Sequence, residues 1–360
     1  MTIESFEIND NGWILNRTSF GPLSLLVGVS GVGKTKIIKA IEKICKAAVN
    51  GADHAAGCSW KISLQIDGHE YYWEGVLDDF GDHFESEKII LDGYRLVNRN
   101  YITGEFLYKD NKLPKLKWTE SAISLLRDEA DIAPLTQSLN QIIISDNNFY
   151  FINTIDNSYF YLDNMTSLDD LQKAPHMHLL VKIWTLQEKF KNDFENIKLK
   201  FKEIFPFTEN IKIRAFKGNS TQSGISYILF ITEKETKKEI PGPNLSTGML
   251  KTLKILFELS LAPKGTLFLI DEFENSLGIN CLPQIAETIN ERQGDIQFIL
   301  TSHHPYVINN INWKNWKLVT RHGSTVTVHD ASDIPALNTA STIDRFELLV
   351  NSPEYEDGIA

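Results

Sequence analysis

The sequence predicts an α/β fold built on a parallel sheet, and three stretches carry that expectation. Residues 22–28, PLSLLVG, read as a short apolar strand that runs directly into a glycine-rich turn. The helix-patterned segment KIIKAIEKICKAA follows at once. Residues 266–272, TLFLIDE, read as a buried strand that ends in two acids, and continuous apolar runs of this kind are the mark of parallel strands covered on both faces. Residues 297–301 form a third apolar run, QFILT, which leads into the polar loop Ser302-His303-His304-Pro305.

The first of these stretches has the most specific chemistry. Gly28-Val29-Ser30-Gly31-Val32-Gly33-Lys34-Thr35 is a full match to G-x-x-x-x-G-K-[ST], lying between a strand and a helix as that motif requires. Its glycines let the backbone wrap phosphates, with amides pointing inward and the helix N-terminus adding positive potential. Lys34 is placed to reach β- and γ-phosphates and the Thr35 hydroxyl to coordinate Mg2+, with Gly28, Ser30, Gly31, Gly33 and Lys36 completing the ATP cradle. In the helix behind the loop, Ile37, Ile38, Ile41, Ile44, Cys45 and Ala48 recur at steps of three and four, with lysines and Glu42 between them. In the second stretch, Asp271 is the candidate Mg2+ ligand and Glu272 the candidate general base, because acids at the C-terminal ends of sheet strands face the ligand edge.

The rest of the chain divides by pattern. Residues 60–77 read as a hairpin closed by Asp67-Gly68, and 88–98 and 101–108 as further strands, with a small hairpin over Thr103-Gly104. From 118 to about 205 the pattern is helical; its last part is amphipathic and rich in Lys and Glu, one helix or two, without heptads sustained enough for a long coiled coil. Strands return over 211–234. The expected organisation is therefore 1–117 with the P-loop and an antiparallel β subdomain, 118–210 as a helical insertion, and 211–360 carrying the remaining motifs.

Between the insertion and the acidic strand lies Leu245-Ser246-Thr247-Gly248-Met249, opening a helix for which Ser246 is a ready N-cap. Its position resembles the ABC signature L-S-G-G-Q: Ser246 and Gly248 match, while Thr247 and Met249 depart from it. Thr301-Ser302-His303-His304-Pro305 resembles the switch-histidine motif, with His303 in the γ-phosphate-sensing place and His304 the alternative. Glu274-Asn275-Ser276-Leu277 resembles the D-loop. In this order the motifs are similar to those of ABC-type ATPase heads of the OLD/RecF/SMC-like branch of P-loop NTPases. The resemblance covers about 1–50 and 210–312 well and the middle in outline; Gln137 and Gln141 both stand as candidates for the family's Q-loop glutamine.

The resemblance implies a Mg2+-dependent ATP hydrolase in which Glu272, Lys34 and His303 are catalytic. It also implies a homodimer or higher homo-oligomer, with Ser246 and Gly248 of one subunit meeting the ATP held by another. Nucleases of the OLD type carry a further metal-binding domain after the ATPase, for which 305–360 is too short. The expected role is thus regulation of a separately encoded effector, a nuclease or toxin, as in prokaryotic anti-phage defence systems of PARIS-like or Septu-like type. A RecF/SMC-like DNA-repair or DNA-binding ATPase is the alternative, with KLPKLK (112–117) and KLKFK (198–202) as possible phosphate contacts. A transporter subunit fits the altered signature and long insertion poorly.

Composition narrows the remaining classes. The chain has 360 residues and 42% hydrophobic content, enough for a full core. A net charge of −11 disfavours a dedicated, sequence-independent DNA coat, whose binding rests on neutralising phosphates. Cys45, Cys58 and Cys281 are odd in number and widely spaced, giving neither a disulfide framework nor zinc spacing. With no apolar run of membrane-spanning length and no basic-then-apolar N-terminus, the expected location is the cytoplasm, away from membranes.

Overall fold

The computed structural model describes residues 1–145, 151–154, 165–174, 177–217, 224–338, 345–356 and 358. They form two compact units, each interrupted in sequence: Met1–Ile144 with Gly265–Phe273 and Gln293–Ala360, and Ser145–Lys264 with Glu274–Arg292.

The first unit is built on one continuous sheet of 14 strands. Its parallel part runs Ile142–Ile144, Leu267–Ile270, Gln297–Thr301, Leu23–Val27 and Trp316–His322. Leu23–Val27, Leu267–Ile270 and Gln297–Thr301 are buried at every residue, as strands covered on both faces must be. Trp316–His322 then pairs antiparallel with Thr325–Asp330, which meets Trp13–Ser19 in parallel. Beyond that the sheet is antiparallel: Thr2–Asp10, Cys58–Ile66, His69–Leu77, Phe84–Leu91, Tyr94–Asn100, Glu105–Tyr108 and Asn111–Lys112. The fold is therefore mixed α/β, a parallel core extended by an antiparallel β subdomain.

The helix Lys34–Asn50 presents Ile37, Ile38, Ile41, Ile44 and Ala48 to a core that includes Phe6, Ile8, Trp60, Ile62 and Trp73. Burial of five such side chains contributes on the order of 1.5–3 kcal/mol each for the larger ones. In the β subdomain Arg99 and Glu87 are fully buried and paired at 3.3 Å. Glu87 also accepts from Trp73 Nε1, Ser121 Oγ and the Ala122 amide, and Arg99 donates to the carbonyls of Trp118 and Glu120. This network offsets the desolvation of the pair and ties the segment 118–122 to the sheet.

The second unit has a small antiparallel sheet centred on Ile225–Glu233, which pairs with Thr208–Lys217, Phe151–Thr154 and Glu239–Pro241. Helices Leu179–Lys189 and Lys191–Ile204 are separated by Phe190 alone, so the amphipathic stretch is two helices. The helix Thr247–Leu261 is buried over most of its length, with Phe257 stacked on Phe194 at 5.8 Å.

Two local expectations are corrected, and one hairpin is added to those read from the sequence. The run 88–98 is not one strand: Asp92-Gly93, with φ of 49° and 82°, closes a hairpin between Phe84–Leu91 and Tyr94–Asn100. Asn11-Gly12 closes another between Thr2–Asp10 and Trp13–Ser19. Both are the Asx-Gly turns that favour positive φ, so the signal was present in the sequence. Within the helical stretch after 118, Ile142–Ile144 is an edge strand of the main sheet; three residues are too few for a readable period.

Candidate functional site

Sheet register brings the site together. Leu26 lies beside Thr301, and Leu300 beside Ile270, in neighbouring parallel strands. Three strand ends are therefore level, and Gly28, Asp271 and Ser302 leave the sheet at one edge, the edge where ligands bind in open α/β sheets.

The loop 28–35 is held by its glycines. Gly28, Gly31 and Gly33 have φ of 143°, 90° and 107°. A Cβ on Gly28 would stand 2.5 Å from the Val319 carbonyl oxygen, a backbone atom with no room to yield. Gly33 is the N-cap of the helix, and no side chain caps that end. Lys34 is 5% exposed, and its ammonium donates to the carbonyls of Gly28 at 2.8 Å and Val29 at 2.9 Å.

Two hydroxyls converge on one carboxylate oxygen. Asp271 Oδ1 accepts from Thr35 Oγ1 at 3.0 Å and from Thr301 Oγ1 at 2.7 Å. Thr301 Oγ1 in turn accepts from the Glu272 amide at 2.7 Å, and the Thr301 carbonyl accepts from the Phe273 amide at 2.9 Å. Glu272 sits at φ 47°, a left-handed conformation that costs a non-glycine residue about 1 kcal/mol or more. The hydrogen bonds that Thr301 accepts from these two amides hold that turn in place.

A cavity of about 630 Å³ lies against the loop. It is lined by Ser30, Gly31, Gly33, Lys34, Thr35 and Lys36 from the motif, and by Glu272 and His303. His304 does something else: its Nδ1 accepts from the Tyr306 amide at 3.2 Å and caps the helix Pro305–Asn310. Asp10, Lys39, Lys43 and Arg321 also line the cavity, and none of them belongs to a motif. Arg321 Nη1 donates to the Gly31 carbonyl at 3.2 Å.

Other candidates lie elsewhere. Gln141 stands just before the strand Ile142–Ile144, whose register sets it level with Thr266, at the far end of the acidic strand from Asp271. Gln137 is exposed on the helix Ala133–Asn140. Neither lines the cavity. Ser246 and Gly248 belong to the second unit. Ser246 is exposed and caps its helix by accepting from the Met249 amide at 3.2 Å. Gly248 lies against the D-loop-like turn, where a Cβ would stand 3.1 Å from the Ser276 carbonyl oxygen.

Thr301 opens the switch-histidine-like segment but was given no role there; as the last residue of an apolar strand it carried no sign of its contacts to Asp271 and Glu272. Thr301→Val would leave the Glu272 amide and Asp271 without the shared hydroxyl. The expected cost is about 1–3 kcal/mol of unfolding free energy, read from the denaturant midpoint. An unchanged midpoint would show that the hydroxyl bridge contributes nothing.

Among solved structures, the SmcHead bound to the C-winged helix domain of ScpA is similar with a TM-score of 0.54 at 16% identity, covering 91% of this chain and 97% of that one. An Smc head domain with an extended coiled coil, bound to the C-terminal domain of ScpA derived from Pyrococcus furiosus, is similar at 0.51 and 14%, covering 92% and 97%. At such identities the likeness concerns the fold. No curated protein matches the sequence. Among the described residues no helix is long and apolar enough to cross a membrane. The family described as "AAA domain, putative AbiEii toxin, Type IV TA system" matches residues 23–309, and the chain, with its glycine loop, paired acids and head-like sheet, belongs to this AAA-domain family of P-loop ATPases.

Proposed function

We propose that this chain binds ATP with Mg2+ in the cavity at Gly28–Thr35 and hydrolyses it. The convergence of Thr35, Thr301 and Asp271 on one point beside the phosphate-wrapping loop carries the reading. The donors are all oxygen, which suits a hard cation such as Mg2+. Thr35 and Asp271 are the residues that would hold it, and when bound it would draw charge from the β- and γ-phosphate oxygens.

The chain's own groups account for the other requirements. Lys34 exchanges the carbonyls of its own loop for phosphate oxygens, and the loop amides together with the helix N-terminus add positive potential. Glu272 is exposed in the cavity wall and accepts the proton as water adds to the γ-phosphorus and the bond to the β-phosphate oxygen breaks. His303, on the same wall, meets the γ-phosphate. Steady-state phosphate release tests this reading: turnover should require Mg2+ and stop on chelation, and a protein that releases no phosphate under either condition would refute it.

Ser246 and Gly248, exposed or half-buried at the start of a rigid helix, are available to complete the ATP site of a second copy. ATP would then be part of a homodimer interface that hydrolysis loosens. Such a cycle suits an ATPase that controls a separately encoded nuclease or toxin in anti-phage defence, and the toxin–antitoxin wording of the family description supports that prokaryotic setting. The SMC-like DNA-binding reading is supported by the fold likeness. Three of the lysines offered for DNA are already engaged: Lys117 pairs with Glu120 at 3.0 Å, Lys198 with Glu195 at 2.7 Å and Lys200 with Glu291 at 2.9 Å. Mass by light scattering with and without Mg-ATP, then with linear DNA, separates the readings. DNA retention that falls steeply between about 50 and 200 mM salt would favour the second reading.

A further inference from the structure

The cavity extends beyond anything the phosphate loop accounts for. Its far end is lined by Asp10, Lys39, Ala40 and Lys43. Asp10 is the last residue of the strand Thr2–Asp10 and leads into the Asn11-Gly12 turn. Its carboxylate is anchored through a single oxygen. Oδ1 accepts from Lys43 Nζ at 2.8 Å, Asn11 Nδ2 at 3.1 Å and Cys58 Sγ at 3.4 Å. Asn11 Nδ2 also reaches the Ala56 carbonyl at 3.0 Å, so the turn that carries Asp10 is itself fastened. Among the described residues Oδ2 takes no hydrogen bond. Burial acts to raise the pKa of Asp10, but the hydrogen bond and charge of Lys43, with Asn11 and Cys58, outweigh it and hold the group below the ordinary carboxylate value. An ionised oxygen on a cavity wall is a strong acceptor in search of a donor.

Distance selects the donor. Helical rise is about 1.5 Å per residue, which puts Ala40 roughly 9 Å along the axis from Lys34. Helical side chains lean toward the N-terminus, so the Lys43 ammonium, and Asp10 with it, lies near the level of Ala40. A nucleotide with its phosphates at the helix N-terminus and its nucleoside lying along this cavity would bring its base to this level.

We propose that Asp10 reads the nucleobase, with Oδ2 accepting a hydrogen bond from the exocyclic amine of adenine. This rests on the ATP-binding reading above and names the residue that selects the base at that site. Lys43 is then a positioning residue: it fixes the carboxylate through Oδ1 and leaves Oδ2 to the ligand.

Isothermal titration tests the assignment, using ATP, purine riboside triphosphate, 2′,3′-dideoxy-ATP and inorganic tripolyphosphate on the full chain. Wild type should prefer ATP over purine riboside triphosphate, which lacks only the amine, by about tenfold, the ratio one charge-assisted hydrogen bond supports. Asp10→Ala should reduce that preference to within about twofold, and so should Asp10→Asn, whose one carbonyl oxygen stays with Lys43 and Asn11 and leaves an NH2 donor in the place of Oδ2. Tripolyphosphate should bind all three proteins alike. Equal affinity of wild type for ATP and purine riboside triphosphate overturns the proposal, as does an undiminished preference in both variants. A preference of wild type for ATP over 2′,3′-dideoxy-ATP that disappears in Asp10→Ala, with the preference over purine riboside triphosphate unchanged, assigns Asp10 to the sugar and also overturns it. If wild type binds neither ATP nor tripolyphosphate, the ATP reading itself fails and this one with it.

Discussion

In Glu272→Gln, kcat for ATP should fall by about 10²–10⁴-fold, the usual contribution of a positioned general base, while ATP affinity stays within about threefold. The amide is nearly the same shape as the carboxylate and can orient water, but it cannot take the proton. The backbone around it should not move, because φ at this residue is set by the Glu272 amide on Thr301 Oγ1 rather than by the side chain. If ATP joins two copies as proposed, light scattering of this variant with Mg-ATP should show a heavier species than wild type under turnover. Turnover equal to wild type would remove Glu272 from the role of base and direct attention to His303 on the same wall. Loss of turnover together with loss of ATP binding would point to a misfolded loop instead.

Lys34→Ala should act earlier in the cycle. Lys34 is a buried cation that already accepts the geometry of the loop, donating to two of its carbonyls at 2.8 and 2.9 Å. Removing the ammonium deletes a charge-assisted contact to phosphate and leaves the inward-turned carbonyls of Gly28 and Val29 facing the ligand's negative charge. We expect ATP affinity to drop by about 100-fold or more in equilibrium titration, with inorganic tripolyphosphate affected as strongly. Affinity for both ligands within twofold of wild type would exclude this loop as the phosphate site. Arg321 makes a smaller companion case: it touches the loop only through the Gly31 carbonyl at 3.2 Å. Arg321→Ala is therefore expected to weaken ATP binding by less than about tenfold in the same titration.

Some of this could be read directly from adjacent residues. The glycine loop, the apolar strand ending in Asp271 and Glu272, and the Ser246 cap are each contiguous, and their physics acts within a few residues. A left-handed φ requires glycine, a fully buried strand requires an apolar run, and a helix start requires a capping oxygen. The period of the first helix was legible for the same reason. Short or interrupted pieces were not: Ile142–Ile144 owes its existence to pairing with Leu267–Ile270, and nothing in three isoleucines separates an edge strand from a helix turn. The hairpins at Asn11-Gly12 and Asp92-Gly93 fall between, since their turn residues are diagnostic but lay inside or beside longer apolar runs.

The α/β class and the candidate residues for phosphate, metal and proton transfer were thus legible in the sequence alone. The sequence could not determine which of them meet. Thr301 reaches Asp271 across 30 positions and Thr35 reaches it across 236, and Asp10 and Arg321 enter the same cavity from opposite ends of the chain. Those meetings follow from strand order and register in a sheet that threads Leu23–Val27 between Gln297–Thr301 and Trp316–His322. Side-chain periodicity is a local property with a reach of one helical turn or one strand, whereas register is settled by the summed burial of whole strands, and only the folded chain carries that sum.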